Sequence, residues 1–340
     1  MQANKASAIQ TQAAINYGQA IREGYAYLLA NYPEVFVIGQ GVWSPWYAGN
    51  SMLELDKEFG KERVIDTPVS EAATTGAAIG ASLCGYRPIV LHPRVDFMIL
   101  AMDSIVNQAA KWSHMLGGQA HPAATFRAVV NRGGQQGAQH SQALHSWFAH
   151  IPGLRVLMPA TVADARDMLI AATLSNDPVV YIDDRWLYDK TEILPPPKPV
   201  DIRDIKPQIL RAGKDVTLVA CSYSTQLALE AAELLASENI SAEVIDLRVI
   251  GPVDHSVTVD SLRKTGRLVA IDGGWSTCGL GAEIIAGASE ALPVSAWKSS
   301  PLRITLPDAP APTSGALEDI YYITPKRIAD KIRTMLTAGS

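Results

Sequence analysis

The 340-residue chain is long for a single core and comfortable for two domains. Its 48% hydrophobic and 19% charged residues describe a globular protein that leans apolar, which suggests buried subunit interfaces. A formal net charge of −5 offers no basic field for nucleic acid or anionic lipid, and no stretch approaches the roughly 20 apolar residues that span a bilayer, so neither a nucleic acid nor a membrane is expected as partner.

The first residues, MQANKASAIQTQAA, are small and polar and lack the apolar region of a signal peptide. Residues 1–14 therefore read as a loose tail on a soluble, cytoplasmic protein. Cys84, Cys221 and Cys278 show no C-x-x-C spacing and read as buried thiols in a reducing compartment.

From residue 15 to 30, Ile21, Tyr25, Leu28 and Leu29 recur at helical spacing until Asn31-Tyr32-Pro33 stops the helix. Residues 35–38 form a strand that runs into Gly39-Gln40-Gly41, glycines that mark a tight turn or a close approach. The loop VWSPWYAGN is expected to touch substrate or a neighbouring subunit, although plain packing explains its two tryptophans equally well. Val64 and Ile65 end a short strand, Thr67-Pro68 breaks it, and a run of small residues from Ala72 to Ala81 predicts a helix narrow enough to let another backbone come close. Ser70 is its expected N-cap and Glu71 sits in its first turn, where the helix dipole favours a carboxylate. Taken alone, Glu71 is a capping residue.

Residues 88–91 are a strand, 97–112 an amphipathic helix and 125–130 a strand, followed by the glycine-rich loop NRGGQQGAQHSQ that carries His140. A short helix at 144–150, a strand at 154–158, a helix at 162–174 and a strand at 179–182 complete the alternation. Such βαβ units imply a mostly parallel sheet with ligands at the C-terminal ends of its strands. LPPPKPV, at 194–200, is a stiff extended connector. The expected organisation is a first domain over 15–190, a Pro-rich linker over 191–205, and a smaller α/β domain over 206–340 with strands at 216–221, 242–247, 267–271 and 302–306.

DTPVSEAATTGAAIG, DSIVNQAAKW, GAQHSQ, WFAHIPGLRVLMPA and VIDLRVIGPVD occur in that order. The ordered set resembles the β subunit of thiamine-diphosphate-dependent 2-oxo acid dehydrogenases, the decarboxylating component of the pyruvate and branched-chain complexes. It covers nearly all of the chain after about residue 15. The resemblance implies two doubly wound α/β domains, an N-terminal pyrimidine-binding domain and a C-terminal transketolase-type domain. It implies that Glu71 hydrogen-bonds and activates the aminopyrimidine, that the Phe97 ring lies on it, and that Val69 and Leu100 complete the contact. His140 matches the histidine that moves protons at the substrate. His145, beside the short helix, reads mainly as structural and stays a substrate candidate.

The chain departs from the family at Gln40-Gly41, at Leu91-His92-Pro93-Arg94-Val95-Asp96, at Asp272-Gly273-Gly274-Trp275 and at DAPAPT. These departures put substrate and acceptor in question; His92 and Arg94 suit a polar, anionic or sugar-like substrate, or an interface ion pair. The family's structural monovalent cation, K⁺, would fall near Ala172, Ser175 and Asp177. No Gly-Asp-Gly occurs to hold Mg²⁺ and the diphosphate. The resemblance places that motif on an α subunit, giving an α₂β₂ heterotetramer with β–β contact, inactive as β alone, with a lipoyl-bearing acyltransferase as acceptor.

Half of a split transketolase acting on sugars, with the same glutamate, is the competing enzyme, and a non-catalytic partner subunit a second alternative. An NAD-binding protein is the third: Cys278-Gly279-Leu280-Gly281-Ala282-Glu283 offers one G-x-G but lacks the third glycine and the downstream acid.

Overall fold

The computed structural model describes residues 13–338, so all but two residues of the expected tail lie outside the described part. The strands in chain order are β1 Ile15–Asn16, β2 Val35–Gly39, β3 Val64–Asp66, β4 Arg87–His92, β5 Thr125–Val130, β6 Arg155–Leu157, β7 Val179–Asp184 and β8 Thr191–Glu192, then β9 Gln208–Arg211, β10 Val216–Ala220, β11 Ala242–Asp246, β12 Val249–Gly251, β13 Leu268–Trp275 and β14 Leu302–Leu306. A seven-stranded sheet takes the order β12-β6-β7-β5-β4-β2-β3, and a five-stranded sheet the order β14-β13-β10-β11-β9. Pairing is parallel except at the edges, where β12 and β9 run antiparallel to β6 and β11.

Alternating side chains of the large sheet feed two different cores. Ile89, Leu91, Val179 and Tyr181 pack with the helices Tyr17–Asn31 and Val162–Leu174. Val90, Phe126, Ala128, Val180 and Ile182 pack on the opposite face with Ala78, Ile79, Val95 and Ile105. A parallel sheet covered on both faces needs such near-continuous apolar strands, and this is the doubly wound arrangement. The second core continues without a break into Val219, Ile245, Leu247, Leu268 and Leu280, so the two halves share an interior.

Two expectations need correction. The amphipathic helix expected over 97–112 is a composite: Val95–Met98 is α-helical, Ile99–Ala101 is a 3₁₀ turn, Asp103–Ala109 is π-helical and Ala110–Met115 is α-helical again. Its apolar spacing tolerated either period. Cys84 and Cys278 are exposed, and only Cys221 is buried. Cys84 falls at the C-cap of the Glu71 helix and Cys278 in a turn at φ 54°, where each leaves the core. The VIDLRVIGPVD segment serves both sheets: β11 ends at Asp246 in the second, and β12 crosses to the edge of the first and lies against β6.

Candidate active site

The site is assembled at the C-terminal ends of β2, β4, β5 and β7. Glu71 is the first residue of the helix Glu71–Leu83, and Ser70 takes the N-cap position without a side-chain cap bond. With the cap hydroxyl disengaged, the carboxylate points into a small cavity lined by Gln40, Thr67, Thr74, Leu91 and His92. Glu71 is only 8% exposed, yet no described residue hydrogen-bonds or ion-pairs its carboxylate. A nearly buried carboxylate without a partner is costly unless a ligand completes it. Val69 and Leu100, 73% and 62% exposed, present apolar surface.

Phe97 and His140 meet edge to face, ring centroids 5.2 Å apart at 82°. Asp96 builds this pair: its Oδ1 accepts both the backbone N–H of Gln142 at 3.1 Å and the Gln142 side-chain amide at 3.0 Å, tying the His140 loop to the helix that carries Phe97. The same loop leans on the second half of the chain, where the Gln135 N–H donates to Glu318 Oε1 at 2.9 Å and a Cβ on Gly137 would come within 2.5 Å of Thr313.

The other expected site residues are placed as follows. His92 is 2% exposed and its Nε2 lies 3.4 Å from Thr75 Oγ1; burial pushes its pKa down to about 4, so the ring is neutral at pH 7. It forms part of the wall behind Glu71. His145 is buried against the second half, Nε2 at 3.0 Å from Asp272 Oδ1. Burial opposes the charge on Asp272, but His145 and the N–H groups of Gly274 and Gly281 hold its pKa below the usual carboxylate range. This imidazole ties two halves together and does not line the Glu71 cavity. Arg94 is half-buried and donates only to the carbonyl of Pro93, at 2.9 Å.

The expected cation position is already charged. Arg87 Nη1 donates to the carbonyls of Thr173 at 3.1 Å and Ser175 at 2.7 Å, and its Nη2 donates to Asn176 Oδ1 at 2.8 Å. The Ala172 carbonyl accepts the Ser175 N–H, and the Ser175 hydroxyl accepts the Asp177 N–H at 3.0 Å. A guanidinium within hydrogen-bonding distance repels a second cation, so Ala172, Ser175 and Asp177 do not fit K⁺. Among the described residues no group of three or more His, Cys, Asp or Glu could hold a metal ion. No described helix is long and apolar enough to cross a membrane.

Sequence reading named Asp96 only as part of a departure from the family and gave no role to Asn131 or Arg185. Their signal was polar or charged residues at strand ends, in HPRVD, VVNRGG and DDRWLYD, where an apolar strand gives way to a loop.

Comparison with known proteins agrees with this architecture. A family model described as transketolase, pyrimidine binding domain matches residues 13–190, and one described as transketolase, C-terminal domain matches residues 206–328. The chain is 40% identical to the acetoin:2,6-dichlorophenolindophenol oxidoreductase subunit beta of Cupriavidus necator, covering 82% of each chain. It is 34% identical to the pyruvate dehydrogenase E1 component subunit beta of Rhizobium meliloti, over 93% of this chain and 69% of that one. Its fold is similar to a solved split gene transketolase, described as an inactive beta4 tetramer, with a TM-score of 0.77 at 23% identity, over 96% of this chain and 100% of the other. Both domain types, in that order and at these identities, make the chain a member of the family of β subunits of thiamine-diphosphate-dependent 2-oxo acid dehydrogenases.

Proposed function

We propose that this chain is the β half of a heteromeric thiamine-diphosphate enzyme that decarboxylates a 2-oxo acid and passes the resulting acyl or aldehyde unit to an acceptor, a lipoyl group by family resemblance. The carrying observation is the unpartnered, nearly buried carboxylate of Glu71 at the edge of a small cavity. When bound, thiamine diphosphate supplies the electron sink that makes loss of CO₂ feasible. Glu71 would hold a proton at a ring nitrogen of the aminopyrimidine, Phe97 would offer an apolar surface to that ring, and Val69 and Leu100 would exclude water from it. His140, half-exposed and braced by Phe97, would move protons at the substrate. The diphosphate and Mg²⁺ would be held by a Gly-Asp-Gly-bearing α subunit in an α₂β₂ assembly, a reading supported by the absence of Gly-Asp-Gly from this sequence. The DAPAPT and LHPRVD departures leave the oxo acid to be identified.

Calorimetric titration of thiamine diphosphate with Mg²⁺ tests this reading on β alone, on β co-purified with an α chain carrying Gly-Asp-Gly, and on that complex with Glu71→Gln. Binding confined to the complexes, with decarboxylation lowered by about 10² to 10⁴ in the variant, is the expected result. Full activity in the variant, or no cofactor binding by any complex, would overturn it.

A further inference from the structure

The buried and half-buried arginines of this protein are mostly matched to carboxylates. Arg127 faces Asp183 at 2.9 Å, Arg132 faces Asp184 at 2.6 Å, Arg166 faces Glu23 at 2.8 Å, and Arg248 pairs with Asp164. Arg94, half-buried, and Arg185, exposed, are not paired in this way. Arg63, Arg155 and Arg267 also lack a carboxylate, but they stand at the N-terminal ends of β3, β6 and β13, away from the rim where the site lies. Neither Arg94 nor Arg185 has an acidic group within 4 Å among the described residues: Arg94 donates to a carbonyl, its Nε is buried with no partner, and Arg185 Nη1 donates to Asn131 Oδ1 at 3.2 Å. Asn131 is 2% exposed, and its Nδ2 is also buried without an acceptor.

Register brings the three together. β4, β5 and β7 are adjacent and parallel, with His92 opposite Ala128 and Val130 opposite Asp184. The next residues of β5 and β7 are Asn131 and Arg185, and the chain leaving β4 reaches Arg94 two residues on. Three groups with spare N–H donors, two of them cationic, thus stand across neighbouring strand ends. This rim is where parallel α/β sheets receive ligands, and Arg94 is the N-cap of the helical segment that holds Phe97. Burial first, then the charge of Arg185, lower the pKa of Arg94, as expected where positive charge goes unanswered.

We propose that Arg94, Asn131 and Arg185 form a binding site for a second anionic group on the substrate, so that the enzyme acts on a 2-oxo acid whose tail carries a carboxylate or a phosphate. A simple 2-oxo acid brings one negative charge, and that carboxylate departs as neutral CO₂. Two guanidiniums then face an anion only if the substrate holds another that survives decarboxylation and stays anchored during transfer. An arginine pair with an amide donor suits the oxygen array of either group.

The proposal rests on the function proposed above, and its test separates the two. The α/β complex loaded with cofactor is assayed with 2-oxobutyrate (uncharged tail), 2-oxoglutarate (carboxylate tail) and phosphohydroxypyruvate (phosphate tail), in the native form and as Arg94→Gln and Arg185→Gln. Calorimetry of the same anionic compounds with the Glu71→Gln complex measures binding without turnover. The expected result is that one anionic-tail compound is preferred in kcat/KM, and that each arginine variant cuts this preference about 10- to 100-fold, chiefly through KM, as loss of a charge-assisted hydrogen bond does. The preferred compound identifies the group. Equal use of the uncharged-tail acid, or a preference unmoved by either variant, refutes the site while leaving the proposed function standing. If the variants weaken cofactor binding or α/β assembly, the pair serves the cofactor's diphosphate or the partner's carboxylates, and the proposal falls. No turnover of any oxo acid, with no cofactor bound, is instead the failure of the functional reading. Arg185 is exposed, so its variant folds even where Arg94→Gln does not.

Discussion

Lowering the pH probes the burial of His92. Its imidazole, 2% exposed and beside the Thr75 hydroxyl, has its pKa driven by burial from the ordinary 6.5 to about 4. Between those values the unfolded chain binds a proton that the folded chain refuses. Stability from this group is therefore complete above about pH 6.5 and is lost as the pH falls toward 4. For these two pKa values, linkage gives a loss of about 2 kcal/mol between pH 7 and pH 5. For 340 residues, the entropy of unfolding converts that to about 3 °C in melting temperature. The assay is thermal unfolding of the native protein and of His92→Asn at both pH values and fixed ionic strength. The variant keeps a polar group for Thr75 but cannot titrate, so the native protein should lose about 3 °C more than the variant. Equal acid sensitivity in the two would show that His92 is hydrated, and the description of the wall behind Glu71 would be wrong.

Asp246 predicts the opposite slope. Burial, and then the charge of Asp164, raise its pKa to about 8, so its contribution is full at low pH and is lost as the pH rises toward 8; Asp246→Asn should flatten the decline in melting temperature between pH 6 and 9. Because Arg87 occupies the carbonyl cluster, melting should be the same in potassium and choline chloride at equal ionic strength. Arg87→Ala should lower it by a few °C, and restoration by potassium would show that the cluster can accept the ion. Gly153 sits at φ 96°, and a Cβ there would lie 2.0 Å from the Ala110 carbonyl; Gly153→Ala should cost about 2 to 4 kcal/mol in chemical unfolding. Asp96→Asn should leave the fold intact but raise hydrogen exchange in residues 137–142, since the carboxylate holds Gln142 through two bonds.

Much of the fold was legible because its strands are short apolar runs bounded by Gly and Pro, and its helices have clear apolar faces. The helix over 162–174 and the strand over 125–130 fall where the pattern put them. What periodicity could not see was tertiary in origin. The π-helical stretch Asp103–Ala109 buries Ile105 and Ala109, a spacing that the sequence pattern does not tell apart from an α-helix. The strand β9 and the helix Ser256–Thr265 went unread, the first because its residues are exposed or half-buried at an edge, the second because its stripe of Thr258, Val259, Ser261 and Leu262 is partly polar. In the candidate site, Glu71 and His140 were named from ordered motifs and Phe97 from the family resemblance. Asn131 and Arg185 went unnoticed because their meaning depends on which strands are neighbours, and strand order is not written in any single segment.

The strand exchange at β12 bears on how the chain is made. Residues 13–190 supply six strands of the large sheet, but the seventh comes from residues 249–251, on the far side of the Pro-rich connector. A ribosome that has finished the first half has therefore produced a sheet with one raw border along β6, able to pair with any passing strand. That border closes only after some sixty further residues emerge, by which time β9, β10 and β11 of the smaller sheet have been synthesised too. Expressing the first half alone, as one would to isolate a pyrimidine-binding unit, should give material that self-associates along β6. Appending a segment equivalent to 244–254 should restore solubility.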